Sequence, residues 1–144
     1  MADRSSVPRR GSSEAIVRFE APDLLVSALT GDVSAADTAR LAAEARRLTA
    51  GRSLVLVLID ISRLGTPTAE ARRAALDGLR SVPTRGIALH GGSSRSRVLP
   101  SLVTTALELF STRSQQCPVR FFESEAEGRS WLGQRREEIR RTSR

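Results

Sequence analysis

The sequence predicts a single-domain α/β protein built on one mostly parallel sheet. Three observations carry this. Residues 54–59 form an unbroken apolar run that ends at Asp60, the pattern of a central strand covered on both faces. After an opening hairpin, strand-like and helix-like segments alternate strictly, as in sheets whose parallel strands are joined by helical crossovers. The 144 residues, 40% of them hydrophobic, carry no internal repeat and suffice for one real core.

The elements follow in order. Residues 1–13 are rich in Ser, Arg and Pro and have little to bury, so they read as a disordered basic tail. Residues 15–20 and 24–30 read as two strands joined by the turn Ala21-Pro22-Asp23. Ser34 caps a first helix, with Asp37 at the capping-box position. Thr38, Leu41, Ala45 and Leu48 form its buried stripe, and Gly51 closes it. The central strand follows. Thr66 then reads as an N-cap with Pro67 at the first helical position. That second helix turns Ala71, Ala75, Leu76 and Leu79 inward. Residues 86–90 form a fourth strand, and residues 98–110 a third helix with Pro100 in its first turn. Residues 119–122 are a fifth strand. Ser124 and Glu127 open a last helix held down by Trp131, Leu132 and Ile139. The predicted architecture is β-β-α-β-α-β-α-β-α: a single-layer, five-stranded sheet with about four helices. The folded domain is expected over residues 14–134, with a basic helix end and tail over 135–144.

The net charge of +7 points less to nucleic acid than it first suggests. All 23 basic residues are Arg, the mark of a GC-rich coding sequence. Residues 1–13 carry +2 and residues 135–144 carry +3, which leaves +2 for the 121 residues between. No aromatic residues interleave the basic ends, so a base-stacking platform is absent there. One Cys and one His make a dedicated metal site improbable, and Cys117 reads as a passive small residue. No apolar segment matches a signal peptide or a membrane span, so a cytoplasmic location is expected.

Candidate functional residues gather where parallel strands end. Asp60 and Ser62 lie at the exit of the central strand, and Thr66, Thr68 and Glu70 lie beside the next helix with Arg72 and Arg73. His90 ends the fourth strand. Gly91, Gly92, Ser93, Ser94, Arg95 and Arg97 form a loop suited to an anion: glycines let backbone approach, serines offer hydroxyls, and arginines clamp. That loop lacks the phosphate-loop and dinucleotide fingerprints. His90 could serve as a general base. No Gly-x-Ser-x-Gly nucleophile elbow accompanies it, so a structural histidine is the plainer reading. Asp60 stands without a second carboxylate at a spacing suited to hydrolysis.

The order of elements, with four local motifs, resembles the STAS/SEC14 (SpoIIAA-like) domain family, relatives of the anti-anti-sigma factors. The motifs are Leu29-Thr30-Gly31-Asp32-Val33, Leu58-Ile59-Asp60-Ile61-Ser62, Ile87-Ala88-Leu89-His90-Gly91, and Val119-Arg120-Phe121-Phe122 with Glu125-Ala126 and Trp131-Leu132. The resemblance spans roughly residues 14–134. It implies a bacterial, non-enzymatic regulatory module that binds a protein partner and needs no cofactor. It also implies a phosphoswitch at the helix after the central strand. The family's D-S-S-type motif would fall on Thr68, Ala69 and Glu70, so its serine is missing, and Thr66 and Thr68 are the remaining phosphorylation candidates. The SEC14 side of the resemblance implies an alternative: a carrier or sensor of a small lipid-like or anionic ligand.

Overall fold

The computed structural model describes residues 14–92 and 117–142. Eight elements lie among them. Strands β1 (Glu14–Glu20) and β2 (Leu24–Gly31) form the hairpin, followed by helix α1 (Ala35–Leu48) and strand β3 (Val55–Leu64). Helix α2 (Ala69–Arg80), strand β4 (Thr84–His90), strand β5 (Val119–Phe122) and helix α3 (Glu125–Thr142) complete them. The helix expected over residues 98–110 lies outside the described residues.

The strands form one five-stranded sheet in the order β1-β2-β3-β4-β5. β1 runs antiparallel to β2, and every other neighbouring pair is parallel. The expected mixed, mostly parallel sheet is therefore present. Alternation along the strands divides the core into two clusters. Leu25, Val55, Val57, Ile87 and Leu89 face α1 and α2, where Leu76 packs and Ala45 and Leu48 reach in. Leu24, Leu56, Leu58 and Ala88 face α3, meeting Leu132 and Ile139. β3 is thus apolar on both faces because helices cover both.

The caps explain where the helices begin. The Ser34 hydroxyl accepts the Asp37 N–H at 3.0 Å, and Asp37 accepts the Ser34 N–H at 3.3 Å. Ser124 and Glu127 make the same reciprocal pair at 3.2 Å each. Both capping boxes match the sequence expectation. α2 starts two residues later than predicted. Its N-cap is Thr68, whose hydroxyl accepts the Ala71 N–H at 3.0 Å. The reason lies upstream: Asp32 Oδ1 accepts the Thr66 N–H at 2.8 Å and holds Thr66 beside the β2 exit. Thr68→Ala is expected to cost about 1 kcal/mol of stability, and Thr66→Ala a few tenths, in urea unfolding. Equal losses would contradict the cap assignment.

Two further departures follow from pairing and capping. β3 continues past Asp60 to Leu64, because Thr30 and Gly31 of β2 pair with Arg63 and Leu64 after a register shift. Thr49, not Gly51, is the C-cap of α1; its N–H and hydroxyl both reach the Ala45 carbonyl. Gly51, at φ 80°, then turns the chain toward β3.

α3 also runs beyond the predicted domain edge at residue 134. Arg135 donates to the Arg85 carbonyl at 2.8 Å, and Arg136 grips Asp23 with two bonds of 2.7 Å. Ile139 is buried. These arginines belong to the folded body, so part of the C-terminal charge is already engaged. Among the described residues, no helix is long and apolar enough to cross a membrane.

Candidate functional site

The carboxyl ends of β2, β3 and β4 form the edge where the candidate residues meet. Two local structures shape it. One is a clasp between the exits of β2 and β3. The Gly31 carbonyl accepts the Gly65 N–H at 2.8 Å, while Asp32 takes Thr66. A Cβ on Gly65 would run into Asp32, so the close approach requires glycine there. The clasp fixes the chain leading into α2. Thr66, Thr68, Glu70 and Arg73 are exposed around it. Arg72 is half-buried, its guanidinium donating to the Pro67 carbonyl at 3.1 Å.

The second structure joins β3 to β4. Asp60 and His90 are register partners on these strands. Both point to the α3 face, in line with Leu58 and Ala88. Asp60 Oδ1 accepts the Ser62 N–H at 2.9 Å. Burial pushes the Asp60 carboxyl toward neutrality. The Ser62 backbone and hydroxyl hydrogen bonds, with His90 and Arg63 nearby, outweigh that and hold it below its ordinary value. Asp60 is therefore an ionised carboxylate at neutral pH.

Gly91 locks the same corner from the other strand. Its φ is 90°, and an added Cβ would lie 2.7 Å from Ser62 Cβ and 3.1 Å from Asp60 Oδ1. Gly91→Ala therefore combines backbone strain with a clash. The expected loss is about 1–3 kcal/mol in urea unfolding. A neutral Gly91→Ala would mean that the corner is loose.

Asp60 and His90 line a notch of about 140 Å³ on this face, near the start of α3. Among the described residues, Ile16, Val17 and Arg18 of β1, Val26, Ser27 and Ala28 of β2, and Glu125 of α3 complete its wall. Sequence reasoning did not assign Ile16, Arg18 or Glu125 to the site. A signal existed in β1: Glu14, Ile16, Arg18 and Glu20 share one face, and three of the four are charged. Arg18 is engaged with Glu20 at 2.6 Å. Arg129 reaches the same carboxylate at 2.9 Å, and the two guanidiniums hold Glu20 at a pKa of about 2.

The structure thus brings Asp60, Ser62, His90 and Gly91 together. It places Thr66, Thr68, Glu70, Arg72 and Arg73 on the neighbouring clasp and helix. Gly92 follows at the β4 exit, half-buried. Ser93, Ser94, Arg95 and Arg97, the core of the expected anion loop, lie outside the described residues. Among the described residues, no three His, Cys, Asp or Glu side chains are placed to hold a metal ion.

A second space lies between the sheet and the α1–α2 pair. It is a cavity of about 140 Å³, walled by residues including Val17, Leu25, Leu41, Val57, Ile59, Ala75 and Leu79. The hydroxyls of Ser27, Thr38 and Thr84 at its wall are bonded to the carbonyls of Ile16, Ser34 and Leu79. Among the described residues the surface left to an occupant is almost wholly apolar, with Arg72 at the wall.

Comparison with solved structures places the fold. A crystal structure of an uncharacterised DUF3478-family protein from Shewanella loihica PV-4, with a SpoIIAA-like fold, superposes at a TM-score of 0.60. The two are 19% identical over 83% of this chain and 93% of that one. No protein-family model and no curated protein matches the chain. The chain has a SpoIIAA-like fold, as its resemblance to STAS domains implies.

Proposed function

We propose that this protein is a non-enzymatic, STAS-like regulatory module that binds a protein partner at the carboxyl edge of its sheet. The observation that supports this most is the fixed yet exposed edge itself. Hydrogen bonds from Gly65, Thr66 and Ser62 pin the exits of β2 and β3. Ser62, Arg63, Thr66, Thr68 and Glu70 nevertheless face outward. A surface held rigid before contact loses little entropy on binding. Arg72 and Arg73 would add charged contacts, as would Arg95 and Arg97. Phosphorylation of Thr66 or Thr68 would place negative charge beside Glu70 and the α2 N-terminus and would alter this surface.

The test begins with cross-linked complexes of the tagged protein from its own cells, analysed by native mass spectrometry. Ser62→Arg and Glu70→Lys should each weaken the purified complex while leaving the circular dichroism unchanged. A complex indifferent to both substitutions would exclude this surface.

The apolar cavity favours a second reading, a sensor of a small hydrophobic ligand. Its volume is similar to that of an engineered cavity of about 150 Å³ that binds benzene in another protein. Arg72 would meet an acidic head group at the wall. A small-molecule adduct that survives native ionisation, and disappears in Ala75→Phe, would support it. Adduct-free protein from its own cells would count against it.

A further inference from the structure

We propose that the notch between Asp60, His90 and Glu125 is a site for a single ammonium group. The inference deepens the partner-binding reading, since Asp60 and His90 stand at the carboxyl ends of β3 and β4. It begins with His90. This side chain is 8% exposed and makes no hydrogen bond to any described residue. Yet no buried side-chain nitrogen or oxygen among the described residues is sealed off without a partner. The imidazole nitrogens of His90 therefore keep access to the notch that the ring lines. A ring nitrogen with no protein partner but open to the notch is free to bond a guest in place of water.

The surrounding groups select what could meet it. Asp60 is beside His90 and ionised, and its Oδ1 is occupied by Ser62. Glu125 adds a second carboxylate at the rim, with its Oε2 already accepting from Arg129 Nε at 2.7 Å. Among the described residues the one cation in the lining, Arg18, is already held by Glu20. Arg63 also lies near Asp60, so the local charges are largely offset; what the carboxylates still offer a guest is acceptor oxygens, which suit a group rich in N–H donors. An ammonium group can donate to a carboxylate and to a neutral imidazole nitrogen at once. Ile16, Val26 and Ala28 give the guest's carbon stem an apolar wall. A volume of about 140 Å³ suits a stem of four or five carbons. The same chemistry could arrive as a free alkylamine or as a lysine side chain of a protein partner.

The chain has one histidine, so its imidazole resonances report on this notch alone. The full-length protein would be titrated at pH 7.5 with n-butylammonium chloride, with Nα-acetyl-lysine methylamide, and with sodium butyrate. Both ammonium probes should shift the His90 signals saturably, and butyrate should not. Asp60→Asn and Glu125→Gln should each weaken binding about tenfold. Glu125 lies in the exposed first turn of α3, so its variant stays informative even if Asp60→Asn loosens the corner. Tighter binding of the lysine derivative would assign the site to a partner's side chain. Tighter binding of butylammonium would assign it to a free amine. No shift with either ammonium, an equal shift with butyrate, or binding unchanged in both variants would overturn the proposal. The broader reading is separable: a partner complex broken by Ser62→Arg but insensitive to Glu125→Gln would keep the edge and discard the ammonium site.

Discussion

Leu58→Ala is expected to cost about 3 kcal/mol of folding stability, with the urea m-value unchanged. Leu58 is fully buried in the middle of β3, on the face that α3 covers. The helix comes in closely here. A Cβ on Gly128 would sit 3.0 Å from Leu58 Cδ1 and 3.4 Å from the Ala88 Cβ. Truncating Leu58 leaves a hole bounded by strand backbone and by a helix anchored elsewhere. Collapse into that hole is therefore limited, and the cavity cost adds to the lost transfer energy. Ile16, 54% exposed on β1, is the control, and Ile16→Ala should change stability by less than about 0.5 kcal/mol. A Leu58→Ala loss below about 1 kcal/mol would show that α3 does not pack on the sheet as described.

The second large effect is expected at the α3 anchor to the hairpin turn. Arg136 holds both oxygens of Asp23, and the two side chains are 24% and 8% exposed. Hydrogen bonding to Asp23 raises the Arg136 pKa further above its ordinary value. Breaking a buried pair costs more than the pair contributes, because a charge is left without a partner. The two halves differ in this respect. Arg136→Ala strands a buried carboxylate and is expected to cost about 3–5 kcal/mol. Asp23→Ala leaves a guanidinium that still reaches water, so it should cost visibly less. The exposed helix pair Glu44–Arg47 offers the contrast, and Glu44→Ala should cost the least of the three because solvent screens that pair. Urea unfolding of the three variants gives the ranking. Equal losses for Arg136→Ala and Asp23→Ala would refute the burial argument.

Much of the fold is legible in the sequence because its signals are local. The capping boxes at Ser34 and Ser124 need only three-residue spacing, and the β3 run needs only its own apolar residues. What escapes is set by contacts between distant segments. Asp60 reads as the end of a strand because it is polar, yet β2 pairs onward with Arg63 and Leu64. Thr66 reads as a cap because Pro follows it, yet Asp32, 34 residues away, takes its N–H. Arg135 and Arg136 read as tail charge until the partners on β4 and at the hairpin turn are in place. Asp60 and His90 are each visible as strand ends. Their pairing into one notch, and the arrival of Arg18 and Glu125, depend on register and on how α3 lies. The loop Ser93–Arg97 stays an expectation from the sequence.

The neighbour-by-neighbour order of the strands bears on how the molecule is made. Among the described residues no strand has to be threaded between two others; each joins the growing edge left by the one before. The hairpin, α1, β3 and α2 can therefore begin to assemble as the chain emerges from a ribosome, with one side of the young sheet already sheltered. The other side cannot be sheltered so early. Leu56 and Leu58 must wait for Leu132 and Ile139, which are synthesised more than 70 residues later. Until then a nascent chain carries an open greasy face, and the interval before α3 docks is when it would most need a chaperone.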